Sequence, residues 1–380
     1  MTSFTVIGDA DIKALLLNLS SEEVRFFLRA IEDCLAAYSC GKERQYQPNA
    51  GVINRPEGQK ILFRPFTSPN TVGAKMIVHP ALHQDQDPSS SAVGSGNKPQ
   101  QGPLHGGVVL CDQSGHPTGF LNAEEITGYR TTLNAMIPFT LRHCVNKIVI
   151  FGAGKQGLWH TRLALALRGE DINSITIINR SEARAHELIK TVQEENKSRW
   201  KSTCHFNSLK FSSDSSDDQI KSTIKEADVI FCTVASQEPL FPIDSLDLSN
   251  RKRLPLITAI GSWQPDMIEI HPEILQHVVN SKAGSDSVGS IVLVDDAEAA
   301  LTHSGEIVQS GLGFNQMFEI GYILQQKRQG LELPSDQNSW LAEGLVVYKS
   351  IGVSVTDLAA GNAILALAEK NNIGTKISNF

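Results

Sequence analysis

The stretch Lys147-Ile-Val-Ile-Phe-Gly-Ala-Gly-Lys-Gln-Gly157 constrains this chain more than any other part of it. The apolar run Ile148–Phe151 reads as a short buried strand. Gly152-Ala153-Gly154-Lys155-Gln156-Gly157 fits G-x-G-x-x-G and leads into a helix over 157–168. The glycine spacing by itself is weak; the strand before it and the helix after it give it meaning. The first glycine allows the tight turn, the second lets backbone approach a pyrophosphate, and the third lets helix and strand pack closely. The phosphates would lie over the helix N-terminus, where unbonded amides and the positive end of the dipole favour an anion. A glycine turn that binds nothing is the plainer alternative, and the flanking elements weigh against it.

Strand and helix then alternate. The pattern predicts strands at 175–178, 228–234, 256–260, 291–294 and 345–350, and helices at 182–195 and 356–369. That alternation calls for a parallel sheet covered by helices, so the fold class is α/β, a Rossmann-type doubly wound sheet. The chain before Lys147 differs. Residues 9–38 read as helical, with a restart at Ser20-Ser-Glu-Glu, a capping-box pattern. Short apolar runs at 60–63, 73–78, 106–111 and 117–121, separated by Pro, Gly and Asn, predict a mostly antiparallel sheet, and 122–142 a helix. Residues 87–102 and 208–218 are low in complexity and expected as surface loops.

Composition narrows the function. The 380 residues suffice for two domains, and 41% hydrophobic against 20% charged residues excludes a disordered chain. A net charge of −7 argues against a nucleic-acid partner. The six cysteines, Cys34, Cys40, Cys111, Cys144, Cys204 and Cys232, are scattered, which predicts reduced thiols, with no zinc or other metal site. No run reaches the length of a membrane span, and Met1–Asp9 lacks the basic, then apolar, pattern of a secretory leader, so a cytoplasmic location is expected.

The strand after the glycine loop bears on the coenzyme. An NAD-preferring site usually ends this strand with an acidic residue for the ribose hydroxyls. Here it ends Ile178-Asn179-Arg180-Ser181, with Arg184 one turn later. A carboxylate repels a 2′-phosphate, whereas a guanidinium binds it through charge-assisted hydrogen bonds. The expectation is NADP(H) in preference to NAD(H).

Several segments together resemble the ornithine cyclodeaminase/mu-crystallin family. Glu125-Ile-Thr-Gly-Tyr-Arg-Thr131 is similar to that family's I-T-x-x-R-T-A helix, and Val149–Gly157 with His160 to its V-x-G-A-G-x-Q-A-x-x-H. Ala259–Glu269 resembles A-x-G-S-x-x-P-D-x-x-E-L. Val294–Ala300 with Ser304-Gly-Glu306, and Val347–Ala360, resemble the two later segments, in the family's order. The resemblance implies a homodimer whose members act on small α-amino or α-imino acids. It implies a substrate and dimerisation domain of α+β type from residues 1–145 with 346–380, made of the N-terminal region and the C-terminal helix, and a coenzyme domain from 146–345.

Lys75 and Arg130 fall on the positions with which the family holds the substrate carboxylate. A guanidinium fork and an ammonium suit a planar carboxylate in a dry pocket. His105 matches a pocket position of the mu-crystallin-like branch. Thr233, Ser236, Ser262, Ser350 and Gly352 are implied as further coenzyme contacts; each is also an ordinary turn or cap residue. Two departures stand out. The family's P-x-R arginine is missing from Tyr46-Gln-Pro-Asn-Ala50, and Arg64 is the candidate substitute. The Asp of the cyclodeaminase G-x-D-x-P segment is replaced by Trp263. That carboxylate handles protons during amine loss and ring closure; hydride transfer does not need it. The expected activity is NADPH-dependent reduction of a small α-imino acid or ketimine, cyclic or not. The alternatives are an ornithine or amino-acid cyclodeaminase, an amino-acid dehydrogenase, and a coenzyme-dependent binding protein without turnover.

Overall fold

A computed structural model of the chain describes residues 4–80, 104–211, 218–262, 264–280, 291–378 and 380. In chain order the elements are β1 (Phe4–Ile7), α1 (Asp9–Leu17), α2 (Ser21–Cys40), β2 (Gly51–Asn54), β3 (Lys60–Thr67), β4 (Thr71–His79), β5 (His105–Asp112), β6 (Pro117–Asn122), α3 (Ala123–Thr140), β7 (Lys147–Phe151) and α4 (Lys155–Arg168). They continue as β8 (Ser174–Asn179), α5 (Glu182–Ser198), β9 (His205–Lys210), α6 (Asp218–Glu226), β10 (Val229–Cys232), β11 (Leu256–Ala259), α7 (Pro272–Asn280), β12 (Val292–Val294), α8 (Ala297–His303) and α9 (Gly305–Ser310). Last come β13 (Met317–Glu319), α10 (Ile320–Arg328), α11 (Ser335–Glu343), β14 (Val346–Lys349), α12 (Val355–Lys370) and β15 (Thr375–Ile377).

The chain divides into two compact units, one from residues 1–18, 42–127 and 354–380, the other from 19–41 and 128–353. The sequence reading drew its boundaries at 145/146 and 345/346. In the structure α2, the later part of α3 and β14 group with the parallel sheet.

The first unit is built on a seven-stranded sheet ordered β15-β1-β6-β5-β4-β3-β2, antiparallel except between β1 and β6. Its strands alternate as a half-buried sheet must. Leu62, Phe66, Ile77, Val108, Leu110 and Leu121 are buried, and α12 packs against β3, β4 and β5. Gly361 of α12 lets that helix sit close to Leu110: a Cβ there would stand 3.1 Å from its Cδ1. The opposite face stays apolar yet exposed, with Phe63, Val72, Met76 and Phe120 open to solvent.

The second unit holds an eight-stranded, wholly parallel sheet ordered β13-β12-β14-β11-β10-β7-β8-β9. The fold is therefore the expected α/β, Rossmann-type doubly wound sheet. From β7 the chain winds outward through β8 and β9, then returns to β10 on the other side of β7, so the strand order reverses between β7 and β10. Strands β7, β10, β11 and β14 are apolar almost throughout because both their faces are covered. Ser20 forms the expected capping box: its Oγ accepts from the Glu23 amide, and Glu23 accepts from the Ser20 amide.

One reading is corrected. Residues 208–210 are not loop but the end of β9, and Asp218 starts α6. The polar run hid both elements: β9 is an edge strand with exposed His205, Asn207 and Lys210, and α6 buries only Ile220 and Ile224. The intervening 212–217, and the expected loop at 87–102, lie outside the described residues.

Candidate active site

The carboxyl ends of β7 and β10 flank the reversal, where open α/β sheets bind ligands. Gly152 leaves β7 with φ +108°, closed to side chains, and a Cβ there would lie 2.7 Å from Thr233 Oγ1. At Gly157 a Cβ would meet the Gly152 carbonyl at 2.1 Å, so helix α4 can approach the loop only with glycine there. Gly154 differs: nothing lies within 4 Å of a Cβ built on it, and as N-cap of α4 it offers no side-chain cap. The 14-residue helix thus begins on a glycine with no side-chain cap, a helix end of the kind that can receive a pyrophosphate. Ala153, Lys155 and Gln156 complete the turn, and Gln156 Oε1 accepts from the Thr132 hydroxyl at 3.3 Å.

At the end of β8, Asn179 is tied into this loop: its Oδ1 accepts from the Ala153 amide at 3.2 Å, and its Nδ2 donates to the Ser181 carbonyl at 2.9 Å. Ser181 is the N-cap of α5, accepting from the Arg184 amide. Arg180 and Arg184 are both exposed. Among the described residues neither side chain forms an ion pair, and no acid ends the strand.

Thr233 donates to the Phe151 carbonyl at 2.7 Å and so sits beneath the glycine loop, while the Ser236 hydroxyl closes its own turn on Glu238. Ser262 is fully buried; its Oγ donates to Glu306 at 2.6 Å and accepts from Lys349 Nζ at 2.5 Å. Ser350 Oγ, the Ile351 amide and the Gly352 amide all converge on the Asp295 carboxylate at 2.7–2.8 Å, and Gly352 has φ +85°. Burial lifts the Asp295 carboxyl above its ordinary value, against those hydrogen bonds. Arg130 is buried on α3. Burial, then Asp295, push the Tyr348 hydroxyl well up, with the Arg130 charge opposing. His160, fully buried, has Nδ1 2.8 Å from the Gln156 carbonyl oxygen, and burial brings its pKa down to about 4.

In the first unit Lys75 is buried at the middle of β4, its ammonium 2.7 Å from Asp357 Oδ1 and 3.5 Å from Thr127 Oγ1. Arg64 of β3 stands opposite Lys75 in the ladder and is half-buried, so the two cations share one face. His79, two alternations along, has its pKa lowered by burial first and then by Lys60, Arg64 and Lys75. His105 is exposed and bonded to Glu124 at 2.6 Å. Trp263 lies outside the described residues.

Sequence reasoning assigned no role to Asp357, Asp295, Glu269, Glu306 or Lys349. The available signal was charge inside apolar strands and in the first turn of a helix: Lys349 ends Leu345-Val-Val-Tyr, and Asp357 begins α12.

The model for shikimate / quinate 5-dehydrogenase domains matches residues 139–262. An uncharacterised protein of Saccharomyces cerevisiae is 25% identical, over 97% of this chain and 98% of its own. A Δ1-pyrroline-2-carboxylate reductase of Bacillus cereus is 27% identical over 72% of this chain and 74% of its own, and the ketimine reductase mu-crystallin of Macropus fuliginosus is 24% identical over 91% and 95%. The Δ1-pyrroline-2-carboxylate reductase of Thermococcus litoralis, solved with NADH and L-proline, superposes with a TM-score of 0.70 at 17% identity, covering 98% of this chain and 100% of that one. An archaeal alanine dehydrogenase dimer with NAD gives 0.71 at 17%, covering all of both. These similarities bear out the resemblance to the ornithine cyclodeaminase/mu-crystallin family that the motifs carry.

Proposed function

We propose that this chain is an oxidoreductase acting on C–N bonds, a reductase of a small α-imino acid or ketimine that prefers NADP(H) to NAD(H). The observation that carries the coenzyme half is the end of β8: Asn179 in place of a carboxylate, with Arg180 and Arg184 exposed beside the Ser181 cap. A 2′-phosphate there would take charge-assisted hydrogen bonds from two guanidiniums. The substrate half rests on relatives named as reductases of cyclic imines and ketimines.

The bound coenzyme would supply a hydride for the C=N carbon. The chain's own part is to bind and orient. Gly152–Gly157 and the α4 amides would hold the pyrophosphate, and Thr233, Ser236, Ser262, Ser350 and Gly352, whose hydrogen bonds go to the protein itself, would shape the rest of the coenzyme site by fixing the turns they stand in. Lys75 and Arg130 are the cations assigned to the substrate carboxylate, with Arg64 and His105 as accessory groups; Asp357 fixes the Lys75 ammonium and neutralises it. A carboxylate so held fixes the position of the adjacent carbon. In this reading the first unit carries substrate binding and dimerisation, and the location is cytoplasmic. The exposed apolar face of Phe63, Val72, Met76 and Phe120 would be covered by a second copy of the chain.

Titration of the purified protein with NADPH and NADH, followed by NADPH oxidation against a panel of cyclic and open α-imino acids, tests the proposal. Tighter binding of NADH would sink the coenzyme preference. Tight NADPH binding without turnover on any imine would favour a binding protein, and ammonia release from ornithine a cyclodeaminase.

A further inference from the structure

One buried charged cluster has no place in the proposal above. Glu269, on the segment between β11 and α7, is wholly buried. Its Oε1 accepts from the Val234 amide at 2.7 Å, and its Oε2 from the amides of Gly261 at 2.6 Å and Ser262 at 3.3 Å. Val234 lies just past the end of β10, and Gly261 and Ser262 just past the end of β11. One carboxylate thus staples together two turns at the carboxyl edge of the sheet. The staple is itself anchored: Glu306 of α9 accepts from the Glu269 amide at 2.8 Å and from Ser262 Oγ, and Lys349, ending β14, donates to the Ser262 carbonyl at 2.6 Å. Glycine is required at 261 because a Cβ there would lie 2.4 Å from the Val234 carbonyl oxygen and 2.6 Å from Glu269 Oε1.

A doubly wound sheet divides a dinucleotide between its two halves at the reversal. The loop after β7 and the end of β8 belong to the adenosine half. The turns after β10 and β11 belong to the other half, which receives the nicotinamide. We propose that Glu269 is a positioning residue for the nicotinamide half of the coenzyme, fixing the turns after β10 and β11 without touching the ligand. The inference rests on the oxidoreductase reading.

The groups facing this carboxylate are Lys349 from β14, Glu306 from α9 and Cys232 from β10. Burial first, then Glu306, bring the Glu269 pKa up to about 7, against the pull of Lys349 and the amides. The ionised staple therefore gives way to a neutral one just below neutrality, and coenzyme binding should weaken there.

Glu269→Gln keeps the shape and turns one acceptor into a donor facing backbone N–H groups. Two ligands are titrated against it: NADPH, and adenosine 2′,5′-bisphosphate, which has the adenosine half alone. Weakening of NADPH by roughly tenfold or more, with the bisphosphate unchanged, is the expected result. Equal weakening of both, or of neither, overturns the proposal. Amide hydrogen exchange on the wild-type protein serves where the variant does not fold: Val234, Gly261 and Ser262 should be protected, and exchange at the rate of open loops overturns it. Wild-type protein that binds neither ligand sinks the coenzyme reading itself. Preference for NADH sinks only the NADP assignment, and the comparison is then made between NADH and 5′-AMP.

Discussion

Asp357→Asn tests how the first unit tolerates a lysine in the middle of its sheet. The Lys75 and Asp357 side chains are both 0% exposed and 2.7 Å apart. Removing one member of a buried pair leaves a charge without compensation, which costs about 3–5 kcal/mol. The lysine has one escape: it can lose its proton, which at pH 7 costs about 4–5 kcal/mol from an ordinary pKa near 10.4. That escape caps the penalty near the top of the same range. At roughly 2–4 °C per kcal/mol for a domain of this order of size, the melting temperature should fall by about 6–20 °C. Lys75→Met with Asp357→Leu replaces the pair by apolar groups of similar volume, and such exchanges are often neutral or stabilising. The double variant should therefore melt within a few degrees of wild type. It should keep NADPH binding while losing imine turnover, because the cation proposed to hold the substrate carboxylate is gone. Thermal and urea unfolding of Asp357→Asn, of Lys75→Met and Asp357→Leu singly, and of the double variant decide the matter. A fall under ~2 °C for Asp357→Asn, or a double variant destabilised by the sum of the two singles, refutes the pairing as an energetic unit.

Four further outcomes follow from the same geometry. Arg180→Ala with Arg184→Ala should weaken NADPH by about 100-fold or more and NADH little, since each hydrogen bond to a charged group contributes about 1.5–3 kcal/mol and two guanidiniums are removed; equal loss for both coenzymes in fluorescence titration excludes a 2′-phosphate role. Gly152→Ala, at φ +108° and with Thr233 Oγ1 at 2.7 Å, should lower stability and coenzyme affinity together, and a variant that binds NADPH normally contradicts the tight-turn argument. Phe63→Asp with Met76→Asp, neighbours across β3 and β4, should yield monomers in light scattering; unchanged dimers move the interface elsewhere. His160, brought down by burial to about 4, contributes stability that is present above its unfolded pKa near 6.5 and lost as pH falls toward 4. Glu269, raised to about 7 from 4.5, acts in the opposite sense: its contribution is full below 4.5 and lost as pH rises through 7. His160→Asn should leave the Glu269 effect unopposed, making the protein more stable at pH 5 than at pH 7.5 by roughly 2–3 kcal/mol relative to the wild-type difference; identical pH profiles in urea unfolding count against both assignments.

What the sequence disclosed and what it withheld divide along a physical line. Periodicity and turn chemistry are local, so β4, β7, α3, α4, the Ser20 capping box and the glycine loop were all legible from residues a few positions apart. Strands whose pattern is too short or too polar to register were not: β9 has no buried residue and exposes His205, Asn207 and Lys210, and β1 and β15 are short. Partners were the other loss. Lys75 reads as a cation aimed at a substrate, but its counter-ion is 282 positions away in the first turn of α12. Thr233, Ser262 and Ser350 read as ligand contacts from their places after strands, yet each hydroxyl is committed to the protein, to Phe151, Glu306 and Asp295.

Those commitments change what the carboxyl edge of the parallel sheet is made of. Each turn that a dinucleotide would meet beyond β10, β11 and β14 is held by a buried carboxylate from elsewhere in the chain: Glu269 for the first two, Asp295 for the third. Buried carboxylates are expensive, and burial raises the pKa of both. Their oxygens accept from five backbone amides that apolar side chains would leave unpaired. What the carboxylates supply is a fixed path for the backbone of these turns, since each amide and hydroxyl they hold is committed to them. A turn fixed in advance has less to lose in ordering when a ligand arrives. The proposed coenzyme edge therefore rests on the charged strand ends as well as on the glycine loop.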